Sequence, residues 1–191
     1  MVRNCIILIS LLCVMISCNI KMNTLSNGRT KVPAENNYFK NKKYFSVSLL
    51  EKIDTAAIYV EAYSYRSSKE DFSPVNNEIA RRTDGWYSVY KFYSNGCLNS
   101  FYFENDHEIK KEDIDPEREG DRGVYYLDDR NNIIIDQFVI VGYGFRPIYG
   151  IDKNIIKVKG DTLLIKNDLT RVNVYVKRKI PEDWLIYKAD W

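Results

Sequence analysis

Few residues of this chain have types that support catalysis. His107 is its single histidine, which removes any site built on several imidazoles and makes a Ser-His-Asp or Cys-His arrangement depend on one side chain. It sits in the polar run Asn105-Asp106-His107-Glu108, where a solvated loop histidine is the simpler reading. Cys97 is the thiol that would partner it, but it lies among aromatic strand residues, and a thiol buried in apolar surroundings keeps its proton and stays inert. The acidic stretch from Glu104 to Asp121 invites a calcium test. Counting from Asp115, oxygen donors fall at Asp115, Glu117 and Glu119, with Gly120 in the sixth place of an EF-hand loop. The twelfth place holds Tyr126 instead of a bidentate Glu, and Lys110, Lys111, Arg118 and Arg122 dilute the charge, so the stretch reads as an exposed loop without metal. With no acid, base and nucleophile set in view, the expectation is a non-enzymatic protein with no catalytic residue, cofactor or metal.

Aromatic residues are the richer chemical resource: 15 Tyr, 8 Phe and 3 Trp exceed what one core of this size needs. Tyr suits a half-buried strand, and aromatic-lined cavities also bind apolar or sugar-like ligands, with the phenol hydroxyls orienting them. The densest stretch is Trp86 to Ser94 and Cys97 to Glu104, two strand-like runs joined by Asn95-Gly96, the preferred pair for a two-residue hairpin loop. That loop predicts Ser94 opposite Cys97, Phe92 opposite Asn99, Tyr90 opposite Phe101 and Ser88 opposite Phe103. One face then carries Trp86, Tyr90, Phe92, Cys97, Phe101 and Phe103. From it Trp86, Tyr90, Phe92, Phe101 and Phe103 are the candidate ligand-facing residues. The opposite face, with Tyr87, Val89, Tyr93, Leu98 and Tyr102, is also substantially apolar.

The remaining elements that would position these residues follow from period-two alternation. Thr55 to Arg66 places Ile58, Val60 and Ala62 on one face and Tyr59, Glu61, Tyr63 and Tyr65 on the other. Ser73 as N-cap, Pro74 in the first turn and Arg81-Arg82 at the end predict a short helix up to Arg82. Further strands are expected at Gly123 to Leu127, Ile133 to Val141, Arg146 to Lys159, Thr162 to Lys166 and Val172 to Arg178. The Gly160-Asp161 turn sets Val158 opposite Leu163 and Ile156 opposite Ile165. In the last strand Val172, Val174 and Val176 should point inward and Arg171, Asn173, Tyr175 and Lys177 outward. Seven to nine such strands with tight turns predict a mainly β fold, an antiparallel up-and-down barrel or strongly curved sheet, with one or two short helices.

The chain ends and the charge bound the setting. Net charge is +2, with signs mixed along the chain, and no nucleic-acid footprint of clustered Lys and Arg appears. Residues 1–17 have one basic residue, Arg3, followed by an apolar run from Cys5 to Ser17, the layout of a secretory signal. The run falls short of the roughly 20 apolar residues of a transmembrane helix; a plain signal cut near Ser17 is the other alternative. Ile16-Ser17-Cys18 resembles the bacterial lipobox, in which the cysteine becomes the acylated first residue. Residues 18–41, polar and carrying Gly28 and Pro33, read as a tether spanning about 25 Å if it behaves as a coil. Part of it, near Tyr38 and Phe39, is open to packing on the domain. Residues 42–191 then form a single β-rich domain in which Cys97 is left without a partner for a disulfide.

Signal, tether, the Asn95-Gly96 hairpin, glycine-bearing strands and the Gly160-Asp161 turn together resemble small bacterial envelope lipoproteins with a lipocalin-like, calycin-type domain. The resemblance implies lipid attachment at Cys18, palmitate among the chains, and a cell-envelope location. Asn19 after the cysteine favours the outer over the inner membrane. It implies a barrel that binds a small apolar ligand; the alternative is a structural or assembly role, docking onto another envelope protein.

Overall fold

The computed structural model describes residues 20–191 except 69–70, 81–84 and 168–169, and the side chains of 76–80 are likewise left aside. The signal 1–17 and Cys18 lie outside the described residues.

The chain forms a closed antiparallel barrel. β3 (Ala57–Ser67), β5 (Trp86–Phe92), β6 (Cys97–Glu104), β7 (Asp121–Leu127), β8 (Ile133–Tyr143), β9 (Pro147–Lys159), β10 (Thr162–Lys166) and β11 (Arg171–Lys179) pair in that order, and β11 returns to pair with β3. Within the barrel each of these eight strands has a neighbour on both sides, which is what a meander of short alternating strands needs in water. An extra strand, β4 (Pro74–Ala80), pairs with the far half of β3, where β5 does not reach. The helix expected from Ser73 onward is therefore a strand over its described part, while Arg81 and Arg82 fall outside the described residues. Local capping signals lost to the free hydrogen-bonding edge that β3 offers, and Pro74 at a strand start on the sheet edge costs no ladder bond. The helical segments among the described residues are short 3-10 turns.

The barrel interior has two unlike halves. One end is filled by Tyr59, Phe92, Leu98, Tyr125, Ile133, Ile135, Ile156 and Leu163, and it is closed from below by Phe45, Leu49 and Ile53. The Gly160-Asp161 turn at this end has the expected register, Leu163 opposite Val158 and Ile165 opposite Ile156. The other end is polar.

Three expectations about strand faces are corrected. The β5–β6 hairpin closes over Ser94, Asn95 and Gly96, so Tyr93 pairs with Cys97 and Phe92 with Leu98. Gly96 takes φ +85° as the left-handed residue of a three-residue loop, while the Asn95 side chain accepts from the Cys97 amide and donates to the Ala189 carbonyl. Tyr90 and Phe92 therefore face inward, whereas Phe101 and Phe103 face outward with Tyr87 and Val89. In β11, Tyr175 and Asn173 face inward and Val172 and Val174 outward, the reverse of the expectation. In β3, a bulge at Ala62 shifts the phase, so Glu61 points in and Tyr63 and Tyr65 point out.

Outward apolar faces are buried because both ends of the described chain wrap the barrel. The stretch expected as a tether is packed from Ile20 onward: β1 (Met22–Thr24) pairs with β2 (Lys31–Pro33), and Leu25, Val32 and Phe39 are buried. Asn41 donates to Asp136 Oδ2 at 2.7 Å and to Tyr126 Oη at 3.1 Å. From the other end, Ala189 and Trp191 cover Tyr93, Cys97 and Val124, while Trp184 and Tyr187 lie over Phe101 and Phe103.

Candidate functional site

The inward positions of the barrel change character halfway along each strand. Towards the ends of β3 and β8 and the starts of β5, β9 and β11, apolar side chains give way to Glu61, Ser64, Ser88, Gln137, Asp152, Asn154, Arg171 and Asn173. These residues, with Tyr90, Tyr102 and Tyr175 on the walls, line a cavity of about 330 Å³, within the range of small-molecule sites.

Its floor is a hydrogen-bonded layer. The Ser88 amide and hydroxyl donate to Glu61 Oε2 at 3.0 and 2.7 Å, and Ser88 Oγ lies 2.8 Å from Tyr175 Oη. Tyr90 Oη donates to Gln137 Oε1 at 2.9 Å, and Gln137 Nε2 in turn donates to Ser100 Oγ. These bonds hold Glu61, Ser88 and Gln137 in place, and burial keeps the Tyr90 and Tyr175 phenols protonated far above their usual range. Nearer the opening, Asn154 donates to Asp152 Oδ2 at 3.0 Å, and Arg171 Nε donates to Ser64 Oγ at 3.2 Å. Two carboxylates, a guanidinium, several amides and phenol hydroxyls thus converge on one space. That set suits a ligand with many hydrogen-bonding groups.

Asp121 stands at the rim and lines one cleft with Arg29 and Lys31 of the N-terminal hairpin. It pairs with Ser100 across β6 and β7, and burial pushes its carboxyl up to about 6.

The candidate ligand-facing residues are divided by the corrected register. Tyr90 lines the cavity, Phe92 fills the apolar half, and Trp86 is half exposed at the strand start. Phe101 and Phe103 lie outside the barrel against Ile109 and Ile114. Alternation alone missed Glu61, Gln137, Asp152 and Asn154. The available signal was that each shares a strand face with core residues nearer the other end, such as Tyr59 with Glu61 and Ile156 with Asn154.

His107 and Cys97 belong to different surroundings. His107 Nε2 lies 2.7 Å from Asp113 Oδ2, and its ring stacks on Phe103 with centroids 4.9 Å apart. Cys97 is fully buried, its Sγ 3.7 Å from the Trp191 carbonyl oxygen. In the acidic loop, the Asp115 side chain accepts from the Glu117 amide and Glu117 pairs with Arg122 at 2.9 Å. Among the described residues, no three His, Cys, Asp or Glu side chains are grouped to hold a metal ion.

A second, more open cleft of about 730 Å³ runs between the C-terminal segment and the β5–β6 hairpin. Lys91 lines it, donating to the Thr55 carbonyl, with burial lowering its ammonium to about 8. Comparison of the chain with protein-family models, with curated proteins and with solved structures finds no match.

Proposed function

We propose that this chain is a membrane-anchored, non-enzymatic β-barrel that binds a small, polar ligand in the open half of the barrel. One observation carries the reading: the apolar half of the interior is filled with side chains, whereas the space that is left is walled by Glu61, Asp152, Arg171 and neutral hydrogen-bonding groups. An apolar ligand would strip water from these groups without replacing their hydrogen bonds, at a cost of about 1–3 kcal/mol for each one left unmatched. A polyhydroxylated or zwitterionic molecule replaces them. The Arg171 guanidinium suits a carboxylate or a ring of hydroxyls, while Glu61 and Asp152 accept from hydroxyl or ammonium groups. The anchor is the lipid on Cys18 that the Ile16-Ser17-Cys18 sequence suggests.

Isothermal titration of the protein beginning at Asn19, with amino acids, monosaccharides, disaccharides and fatty acids as separate panels, tests this. Saturable binding within a polar panel, lost in Asp152→Asn, is the expected result. Fatty-acid binding that survives Asp152→Asn would overturn it.

A further inference from the structure

The β8–β9 hairpin outgrows the barrel. The last β7 partner of β8 is Gln137, and the last β10 partner of β9 is Ile155. Beyond them the two strands pair only with each other, from Phe138 opposite Ile151 to Tyr143 opposite Pro147. At about 3.3 Å per residue, the free ladder is on the order of 17 Å long; it starts at the wall of the polar cavity, which Val139 lines, and runs outward from there. Its far end is apolar and uncovered: Phe145 is fully exposed and Tyr143 is 83 % exposed, with Val141 and Ile148 more than half exposed. A soluble surface does not ordinarily carry so many large apolar side chains on one thin projection.

The placement of the N-terminal segment says what covers them. Ile20 and Met22 pack on the same outer cluster as Phe138 and Tyr149, and Tyr149 is paired with Ile140 in the hairpin. Arg29, Thr30 and Lys31 share a cleft with Ile140 and Tyr149. Cys18 precedes Ile20 by two residues, a reach of at most about 7 Å. If Cys18 is acylated, the chain length allows its lipid to start no further than that from Ile20, which packs at the base of the hairpin. Arg146 at the tip, with Arg29 and Lys31 against the single carboxylate of Asp121 in the cleft at the base, leaves this side with an excess of positive charge that suits anionic headgroups. Tyr and Phe next to Arg is also the composition favoured at the membrane interface.

We propose that the tip of the β8–β9 hairpin is a second membrane contact, inserting Tyr143, Phe145 and Ile148 into the bilayer interface next to the lipid anchor. The hairpin's orientation towards the membrane rests on acylation of Cys18. The two contacts together hold the barrel with its polar opening towards the headgroups, where the anchor alone, a single point of attachment, would leave it free to pivot.

The test separates the hairpin from the anchor. Protein beginning at Asn19, which cannot be acylated, is floated with vesicles of phosphatidylethanolamine and phosphatidylglycerol at millimolar lipid. Three forms are compared: the unsubstituted protein, Tyr143→Ser with Phe145→Ser, and Val47→Ser, which removes an exposed apolar residue at the opposite end of the barrel. The unsubstituted protein and Val47→Ser should float, and the double variant should lose about tenfold or more in partitioning. An unsubstituted protein that stays in solution overturns the proposal, as does equal flotation of all three. A dimer in light scattering without vesicles, dispersed by the double variant, assigns the tip to a second copy of the chain and also overturns it. Labelled-palmitate incorporation into the full chain, compared with Cys18→Ser, reports on the anchor independently.

Discussion

The amide of Tyr93 donates to the carbonyl oxygen of Cys97 at 2.9 Å. This pair closes the β5–β6 hairpin over Ser94, Asn95 and Gly96, and it decides which aromatic residues enter the barrel. Gly96 holds the loop with φ +85°, and a Cβ built there would lie 2.8 Å from Phe45 Cγ. Phe45 is part of the closure of the barrel's apolar end, so the turn and the plug constrain each other. Gly96→Ala should therefore lower stability by about 2–4 kcal/mol, from left-handed strain and displacement of Phe45 together. Urea denaturation monitored by circular dichroism measures it. A loss under about 0.5 kcal/mol, the size of an ordinary surface change, would mean that the loop adopts another geometry.

Trp191 locks the outer layer. Its indole Nε1 donates to the Gly123 carbonyl at 2.8 Å, its ring lies under the Arg122 guanidinium, and its carbonyl oxygen accepts from Lys42 at 2.8 Å. Cys97 lies beneath it. Trp191→Ala should cost about 3–5 kcal/mol and open a path to the thiol. In protein beginning at Asn19, where Cys97 is the one thiol, reaction with a chromogenic disulfide reagent under native conditions should be slow in the otherwise unsubstituted form and markedly faster in the variant. Equal rates would show that the C-terminal segment does not shield Cys97.

The Asp121 carboxyl gives the protein a pH-dependent element of stability. Its pKa in the fold is raised by burial to about 6, above the usual 3.8. The folded state thus binds the proton more tightly than the unfolded state, and the stability associated with Asp121 is fully present below about pH 4. It is lost as pH rises through 6. Asp121→Asn removes the charge and should be more stable than the unsubstituted protein at pH 7.5 by on the order of 2 kcal/mol, with the difference shrinking towards pH 4. Denaturant melts of both proteins at several pH values between 4 and 8 check this. A difference that stays constant across the range would show that Asp121 has an ordinary carboxyl.

Much of the barrel was readable in the sequence because turns and alternation are local. Gly160-Asp161 fixes its hairpin register with no help from distant residues, and the strand rhythm from Gly123 to Arg178 matches the observed strands closely. What escaped was set by distant contacts. Asn95-Gly96 is compatible with a loop of two or three residues, and the choice involves Ala189, 94 positions away, which receives the Asn95 amide. A single step in register exchanges the faces of every residue in the pair, so Phe101 and Phe103 passed from the expected interior to the outside. The apolar character of both hairpin faces was visible, yet its cause was not a ligand cavity: the outer face is covered by residues 20–44, by Ile109 and Ile114 of the loop after β6, and by residues 180–191. Valines in β11 misled too, since Val172 and Val174 are buried outside the barrel with Tyr65 and Leu164, where Tyr63 and Phe72 pack against them. Tyr175, expected to face outward, joins the interior at the boundary between its two halves.

That boundary predicts a separation of stability from binding. Ile53 is fully buried among the residues that close the apolar end, while Asp152 lines the opposite, polar half with one carboxylate oxygen bonded to Asn154. Ile53→Ala removes buried methyl groups from a packed plug and should cost about 2–4 kcal/mol. The hydrogen-bonded layer of Glu61, Ser88, Tyr90 and Gln137 lies between the plug and the cavity, so the affinity for a polar ligand should change by less than about twofold, or 0.4 kcal/mol. Asp152→Asn should behave in the opposite way: stability within about 0.5 kcal/mol of the unsubstituted protein, and affinity reduced about tenfold or more through loss of a charged acceptor. Paired denaturation and titration measurements on the two variants resolve the matter. If Ile53→Ala weakens binding as strongly as Asp152→Asn does, the two halves of the barrel act as one unit and the ligand reaches into the plug.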